Sequence, residues 1–483
     1  MSSANYESIT QEDRDEGTSS PEGRRRRRQG KIAHPAGEAS WGSSVVNLLN
    51  TIVGAGVLAM PHAMSQFGIT LGIFVILFSG FMSGFGLYLQ TRCAKYIDRG
   101  AASFFTLSQL TFPNAAVVFD LAIAIKCFGV AISYLIIIGD LMPQVVLGFS
   151  QNAGNVDCLV DRHFWITGYM QAPSQTQPRL VIIPLSFLRR LDSLKYTSFV
   201  ALVSIGYLII IVLAHFLRGD TLGGRGGVRL ITWAGPIEAL SSFPVIVFAY
   251  TCHQNMFSIL NEIKDAYHRS TLSVISGSIG SASSIYVLVA VTGYLSYGDN
   301  IGGNIIAMYP PSWTSTIGRA AIVILVMFSY PLQAHPCRAS IDNVLKWKPF
   351  RRRVGPRPSS PGRVYEMSDW RFASITTAII VGTYLVAMAV SSLERVLAYV
   401  GSTGSTSISF ILPGLFYWKI SDPESDNHRL LKEDEDSDAE EGDRRADTWR
   451  SRLLRRGALG LVVYGFVVMI TCLTLNTFYV VAH

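Results

Sequence analysis

The amino-acid sequence predicts an all-α polytopic membrane protein of about eleven transmembrane helices, built as an inverted 5+5 repeat whose first and sixth helices are broken. Three observations lead there. Long apolar runs follow one another, basic residues cluster in alternate loops, and two spans in corresponding places are interrupted near their middle.

Of the 483 residues, 49% are hydrophobic and 16% charged; soluble domains carry about 25% charged residues. The apolar residues gather in runs of about 20, the length a helix needs to cross the hydrocarbon core. The first half holds Ser43–Gly68, Thr70–Ile97, Ala115–Ile138, Phe164–Leu188 and Tyr196–Leu217. The second holds Glu238–Leu260, Thr271–Leu295, Ser315–Pro336, Phe372–Ser392 and Val396–Trp418, and Gly457–Val481 follows. Their length and lack of strict alternation exclude a barrel, and lipid leaves an unpaired backbone no alternative to the helix.

The charge balance of 41 basic and 34 acidic residues says less than its placement. Arg24–Arg28 and Lys31 precede the first span, and Arg92, Lys95 and Arg99 follow the second. Arg189, Arg190 and Lys195, then Lys264 and Arg269, then Lys346, Lys348 and Arg351–Arg353, then Arg444–Arg456 fall on the same side if the spans alternate. By the positive-inside rule that side is the cytoplasm, which places the N-terminus inside and His483 outside. The arginine run is thereby explained as a membrane flank rather than a nucleic-acid patch, and no nucleic-acid partner is expected. The polar start of the chain shows no cleavable signal peptide, so the first span is expected to direct insertion.

Residues 1–41 read as a disordered basic cytoplasmic tail and 42–483 as the transmembrane domain, with cytoplasmic inserts at 346–369 and 419–455. The first insert is proline-rich, and the second carries the acidic run Lys432–Glu441 and is expected to be solvated linker. The fourth span fits poorly, because Gln171–Arg179 is polar and holds two prolines. Either it is an insertion looped out of the helix, the preferred reading, or a short Leu180–Leu188 helix follows a re-entrant Phe164–Met170. Of the six cysteines only Cys158 falls in a non-cytoplasmic loop, so no intrachain disulfide is expected. No Asn-x-Ser/Thr acceptor occurs.

Enzyme signatures are absent: no phosphate loop, no Cys/His metal spacing, no nucleophile elbow and no intramembrane carboxylate pair. No catalytic residues, metal or cofactor are expected. The informative residues are Thr51, Gly54, Ala55, Gly56 and Val57 in the first span and Phe248, Ala249, Tyr250 and Thr251 in the sixth. Glycine permits a non-helical kink, and the sixth span turns polar at Thr251–Asn255 after an apolar half. A break exposes amide N–H groups on one half-helix and carbonyls on the other, which suits the carboxylate and ammonium of a zwitterion such as an amino acid. Read alone, the Gly-x-Gly would equally be a helix-packing seam.

Ionisable and hydroxyl groups inside the spans are candidates for coupling: Asn50, Lys126, His253 and Ser329. Lys126 would either relay charge or pair internally with Asp120 or Asp140. His253 would either titrate or serve as a hydrogen-bonded packing residue. Ser329 precedes Tyr330 and Pro331, where a hydroxyl contact and a plain proline kink are both available.

The run Asn50-Thr-Ile-Val-Gly-Ala-Gly-Val-Leu-Ala-Met-Pro61 resembles the fungal vacuolar amino-acid transporters of the amino acid/auxin permease family, relatives of the sodium-coupled neutral amino-acid transporters. Ile138-Gly-Asp-Leu-Met-Pro143 and Pro184-Leu-Ser-Phe-Leu-Arg-Arg-Leu-Asp-Ser-Leu-Lys-Tyr196 carry the same resemblance, which runs from about Gly42 onward. It implies an eleven-helix fold with two inverted repeats and proton-coupled export of amino acids from the vacuole by alternating access. A sodium-coupled carrier and an amino-acid sensor in the same membrane are the rival readings. Gln171–Arg179 departs from the family's continuous fourth helix. Asp426-Asn-His-Arg-Leu430-Leu431 has the spacing of an acidic dileucine address for sorting machinery, in keeping with a multi-pass protein of the vacuolar membrane.

Overall fold

The structure, a computed structural model, describes residues 39–97, 102–150, 156–170, 186–187, 195–264, 268–346, 367–423 and 441–482. The basic tail before Ala39, the Gln171–Arg179 stretch, residues 347–366 of the first insert and the Asp426/Leu430/Leu431 address lie outside them. Among the described residues every regular element is helical, and extended backbone pairs only in an isolated bridge of Ala39 with Ile263.

The chain opens with α1 (Trp41–Ile52) and α2 (Gly56–Phe67), two half-helices bent by 59°. The N–H of Val53 closes α1 onto the carbonyl of Leu49, and α2 restarts three residues later. A tight turn at Gly68, with φ +74°, leads to α3 (Ile69–Ala94). The short α4 (Phe104–Thr111), the long α5 (Ala116–Phe149) and α6 (Arg162–Met170) follow, then α7 (Lys195–Arg218).

The second half repeats the device. α8 (Pro236–Ala249) and α9 (His253–Glu262) are separated by Tyr250–Cys252, and α10 (His268–Tyr297), α11 (Trp313–Lys346) and α12 (Asp369–Ala389) succeed them. The expected breaks of the first and sixth spans are therefore present, at Val53–Ala55 and Tyr250–Cys252. α13 (Leu393–Val400) and α14 (Leu412–Ile420) are joined by two π-helical turns, Gly401–Ser405 and Ser407–Ile411. α15 (Glu441–Ala482) ends the described chain.

Among the described residues seven helices are long and apolar enough to cross a membrane: α3, α5, α7, α10, α11, α12 and α15; the bent pair α1–α2, counted as one span, is an eighth. Phe74, Phe81, Val203, Ile210 and Ile470 stand largely exposed on these helices, as lipid-facing side chains do. α5 is the most enclosed of the seven and packs along α11.

Two spans differ from their sequence reading. The tenth is not one continuous α-helix. In its middle Ser402, Thr403 and Ser407 donate hydroxyls to carbonyls four residues back, and Thr406 to Gly401 five back, competing with the backbone ladder. The last helix begins at Glu441, so the second insert is helical over its final part.

Candidate functional site

The two breaks face each other. α2 packs on α8 and on α10, and α10 supplies Tyr286, whose hydroxyl reaches both breaks. The Tyr286 hydroxyl lies 2.7 Å from the carbonyl of Ile52, the last residue of α1, and 2.8 Å from that of Ala249, the last residue of α8. These are carbonyls that a helix terminus leaves without an intrahelical partner. On the other side of the first break, the N–H groups of Gly54 and Ala55 bond no acceptor among the described residues.

The glycines of this break play different parts. A Cβ on Gly54 would meet nothing within 4 Å, so this backbone borders open space. A Cβ on Gly56 would stand 2.6 Å from the Cβ of Ala249, so Gly56 lets α2 approach the end of α8. Ala55 and Val57 are buried beside them, and Thr51 bonds Asn47 O at 3.0 Å while accepting from Asn255 at 3.0 Å. Asn50 keeps a buried Oδ1 without a hydrogen-bond partner.

At the second break Phe248 and Ala249 close α8 in the core, and Tyr250 is fixed from three sides. Its hydroxyl donates to Ser283 at 2.8 Å, its ring meets Tyr286 edge-on at 5.1 Å, and its carbonyl accepts from Ser83 at 3.0 Å. Thr251 donates to Val247 O at 3.0 Å, and Ser409 of the π-helical stretch reaches its hydroxyl at 3.4 Å. His253 is fully buried, with Nε2 3.1 Å from Ser83 O and Nδ1 left without a partner.

Lys126 stands on α5 where the π-helical stretch crosses it: a Cβ on Gly404 would meet the Lys126 Cβ at 2.6 Å. Its Nζ lies 3.4 Å from Gln333 Oε1 on α11. Ser329 donates to Leu325 O at 2.8 Å, the local bond of a hydroxyl in a helix. The internal ion pairs considered for Lys126 do not form. Asp140 takes Arg162 at 3.3 Å and Asp120 accepts from Asn343 at 3.3 Å, so both carboxylates serve other partners. Desolvating a buried ammonium costs on the order of several kcal/mol unless it is paired.

Lys126 and Ser329 thus belong to a polar layer on α5 and α11, while Asn50, Thr51, Gly54–Val57, Phe248–Thr251 and His253 gather at the breaks. The sequence reading missed Tyr286, Ser83 and the hydroxyls of Gly401–Ile411. Tyr286 carries no local signal, but the run Gly-Ser-Thr-Gly-Ser-Thr-Ser from Gly401 was there to be read as an irregular polar span. No group of His, Cys, Asp and Glu among the described residues could hold a metal.

Two facing helix breaks tied by one hydroxyl of a third helix mark this all-helical fold, and a solved structure resembles it in overall fold. The chain is similar to MhsT, solved in complex with L-phenylalanine, with a TM-score of 0.54 over 90% of this chain and 100% of that one at 12% identity. The family model described as transmembrane amino acid transporter protein matches residues 37–432, and the chain belongs to that family. It is 44% identical to Vacuolar amino acid transporter 5 of Schizosaccharomyces pombe over 443 residues, 91% of this chain and 95% of the relative. It is 40% identical to Vacuolar amino acid transporter 6 of Saccharomyces cerevisiae over 470 residues, 90% of this chain and 98% of the relative.

Proposed function

We propose that the protein carries amino acids across the vacuolar membrane by alternating access, coupled to protons and directed out of the vacuole, with eleven spans and a cytoplasmic N-terminus. Transport of amino acids at that membrane is supported by the family and by relatives aligned over nearly their whole length. The single observation that carries the mechanism is the pair of facing breaks joined by Tyr286.

In this reading the free N–H groups of Gly54 and Ala55, at the positive end of α2, receive the substrate carboxylate over the open space beside Gly54. The carbonyls of Ile52 and Ala249 face the ammonium. One hydroxyl proton cannot fully satisfy two carbonyls, which leaves acceptor capacity for the substrate. Bonds to backbone recognise what all amino acids share, and the side chain is left to Thr51, Phe248 and Thr251. Half-helices that pivot at their breaks open the site to one face at a time.

The test is uptake by the purified chain in proteoliposomes from a panel of amino acids, with proton and sodium gradients imposed separately. Accumulation driven by the proton gradient supports the reading. Accumulation driven only by sodium overturns proton coupling. Saturable binding with no flux under either gradient overturns the carrier in favour of a sensor.

A further inference from the structure

Lys126 and His253 are 3% and 0% exposed, and neither lies beside a carboxylate among the described residues. A group that exchanges protons with an aqueous compartment cannot be sealed in the core, and α2 carries a histidine that is not. His62, directly after Pro61, stands with Nδ1 3.2 Å from Oε2 of Glu394 on α13, and the two side chains are 21% and 35% exposed.

The pair lies on the membrane face opposite the basic loops. α2 ends at the Gly68 turn, from which α3 runs back to Arg92 and Lys95. The link between α10 and α11 closes over the pair, since a Cβ on Gly303 would stand 2.8 Å from the same carboxylate oxygen. Neighbouring Asn304 is 8% exposed, with both amide atoms buried and unpartnered.

We propose that His62 and Glu394 form a proton-operated latch, which holds the solvent end of α2 against α13 when His62 is protonated and releases it when the proton leaves. The geometry stands by itself, and its purpose rests on the transport reading above. Histidine is the side chain whose charge ordinarily changes between about pH 5 and 8. Protonated, the ring offers the carboxylate a charge-assisted bond roughly twice as strong as a neutral one. Deprotonated, it offers either a neutral N–H or a lone pair that repels Oε2.

The other charged and titratable groups around α2 have their own partners or stand apart. Arg229 pairs with Asp299 at 3.0 Å and donates to Ser65 O at 3.4 Å, and Tyr294 donates to Asp299 at 2.9 Å. On α8, Glu238 lies against Gly235; on α13, Arg395 is exposed; on α10, Tyr286 bonds the carbonyls of the breaks. Glu394 is therefore the ionic partner of His62 among the described residues.

The latch joins the two walls of the site. From His62, α2 runs back to the Gly54–Ala55 break. From Glu394, α13 runs into the π-helical stretch, which backs onto Lys126 of α5 and Pro244 of α8.

The experiment uses the full chain in nanodiscs with exposed Cys158 replaced by Ser and nitroxide labels on Gln66→Cys and Ser391→Cys. Interlabel distances are recorded between about pH 5 and 8. We expect the short-distance population of the parent to fall several-fold as pH rises. His62→Gln and Glu394→Gln should abolish that response. His62→Lys, whose charge persists, should keep the short distance throughout, and its retention of fold separates loss of charge from misfolding. A parent without the response, or a His62→Gln variant that keeps it, overturns the latch. Amino-acid flux is followed on the same variants. A responding latch in a parent that carries no amino acid overturns the transport reading and leaves the latch standing.

Discussion

The carbonyls of Ile52 and Ala249, each closing the first half of a broken helix, meet at one hydroxyl, 2.7 and 2.8 Å from Tyr286 Oη. The two breaks are thereby held in register by a third helix that is itself unbroken. Tyr286→Phe removes that hydroxyl and keeps the buried ring. We expect amino-acid affinity to fall roughly 3- to 10-fold, the worth of one net hydrogen bond, with abundance unchanged. Equilibrium binding to purified protein checks this, and unaltered affinity would show that the breaks keep their register without the hydroxyl.

The glycines of the first break make a paired prediction. Gly54→Val adds volume to open space, so it should lower amino-acid binding at least tenfold while the melting temperature holds. Gly56→Val drives methyl groups into Ala249 and should destabilise the fold by about 1–3 kcal/mol, as overpacking does. Binding and thermal melts on both variants separate site from seam. Loss of stability at Gly54 with retained binding would reverse the assignment.

Removing the enclosed bases should leave proton dependence intact. The double variant Lys126→Met, His253→Gln is expected to keep the parent's pH profile of flux, because neither group reaches water. Lys126→Met alone should hold or raise thermal stability, since a buried ammonium beside a single amide oxygen is replaced by an apolar chain of similar size. A flattened pH profile in the double variant would move the coupling back to these residues.

Asp161, outside the spans, precedes α6 and accepts the N–H groups of His163 at 3.0 Å and Phe164 at 3.3 Å. These bonds, that of His163 foremost, hold its carboxyl below the usual carboxylate range. A lowered carboxylate contributes fully above its unfolded pKa of about 3.9 and is lost only as pH falls through the lower folded value. The α6 entry should therefore survive mild acid. Hydrogen exchange at His163 and Phe164 should stay slow down to about pH 5 and quicken several-fold in Asp161→Ala at every pH. Equal protection in the variant would show the cap to be dispensable.

Much of this was legible in the chain because it is local. Apolar length announces a span, and Gly54 with Thr251–Gln254 announces a half-helix end, since in lipid only a break tolerates such residues. Lys126 was equally conspicuous, yet its partner proved to be Gln333 rather than the carboxylates of its own helix. Which side chains meet across helices is decided by packing, and no spacing rule links His62 to Glu394 or Tyr286 to Ile52. The tenth span misled because its hydropathy is that of an α-helix, while its hydroxyls and glycines favour a wider winding.

That wider winding makes the length of the chain itself a structural variable. A π-turn closes its bonds one residue later than an α-turn, so Gly401–Ile411 holds surplus chain between α13 and α14. Deleting a single residue there would relax the stretch toward an α-helix and turn everything beyond it by about 100°. The faces that α14 presents to α3 and α15 would then point elsewhere. Over generations, this segment should accept exchanges among Ser, Thr and Gly far more readily than any change in its residue count.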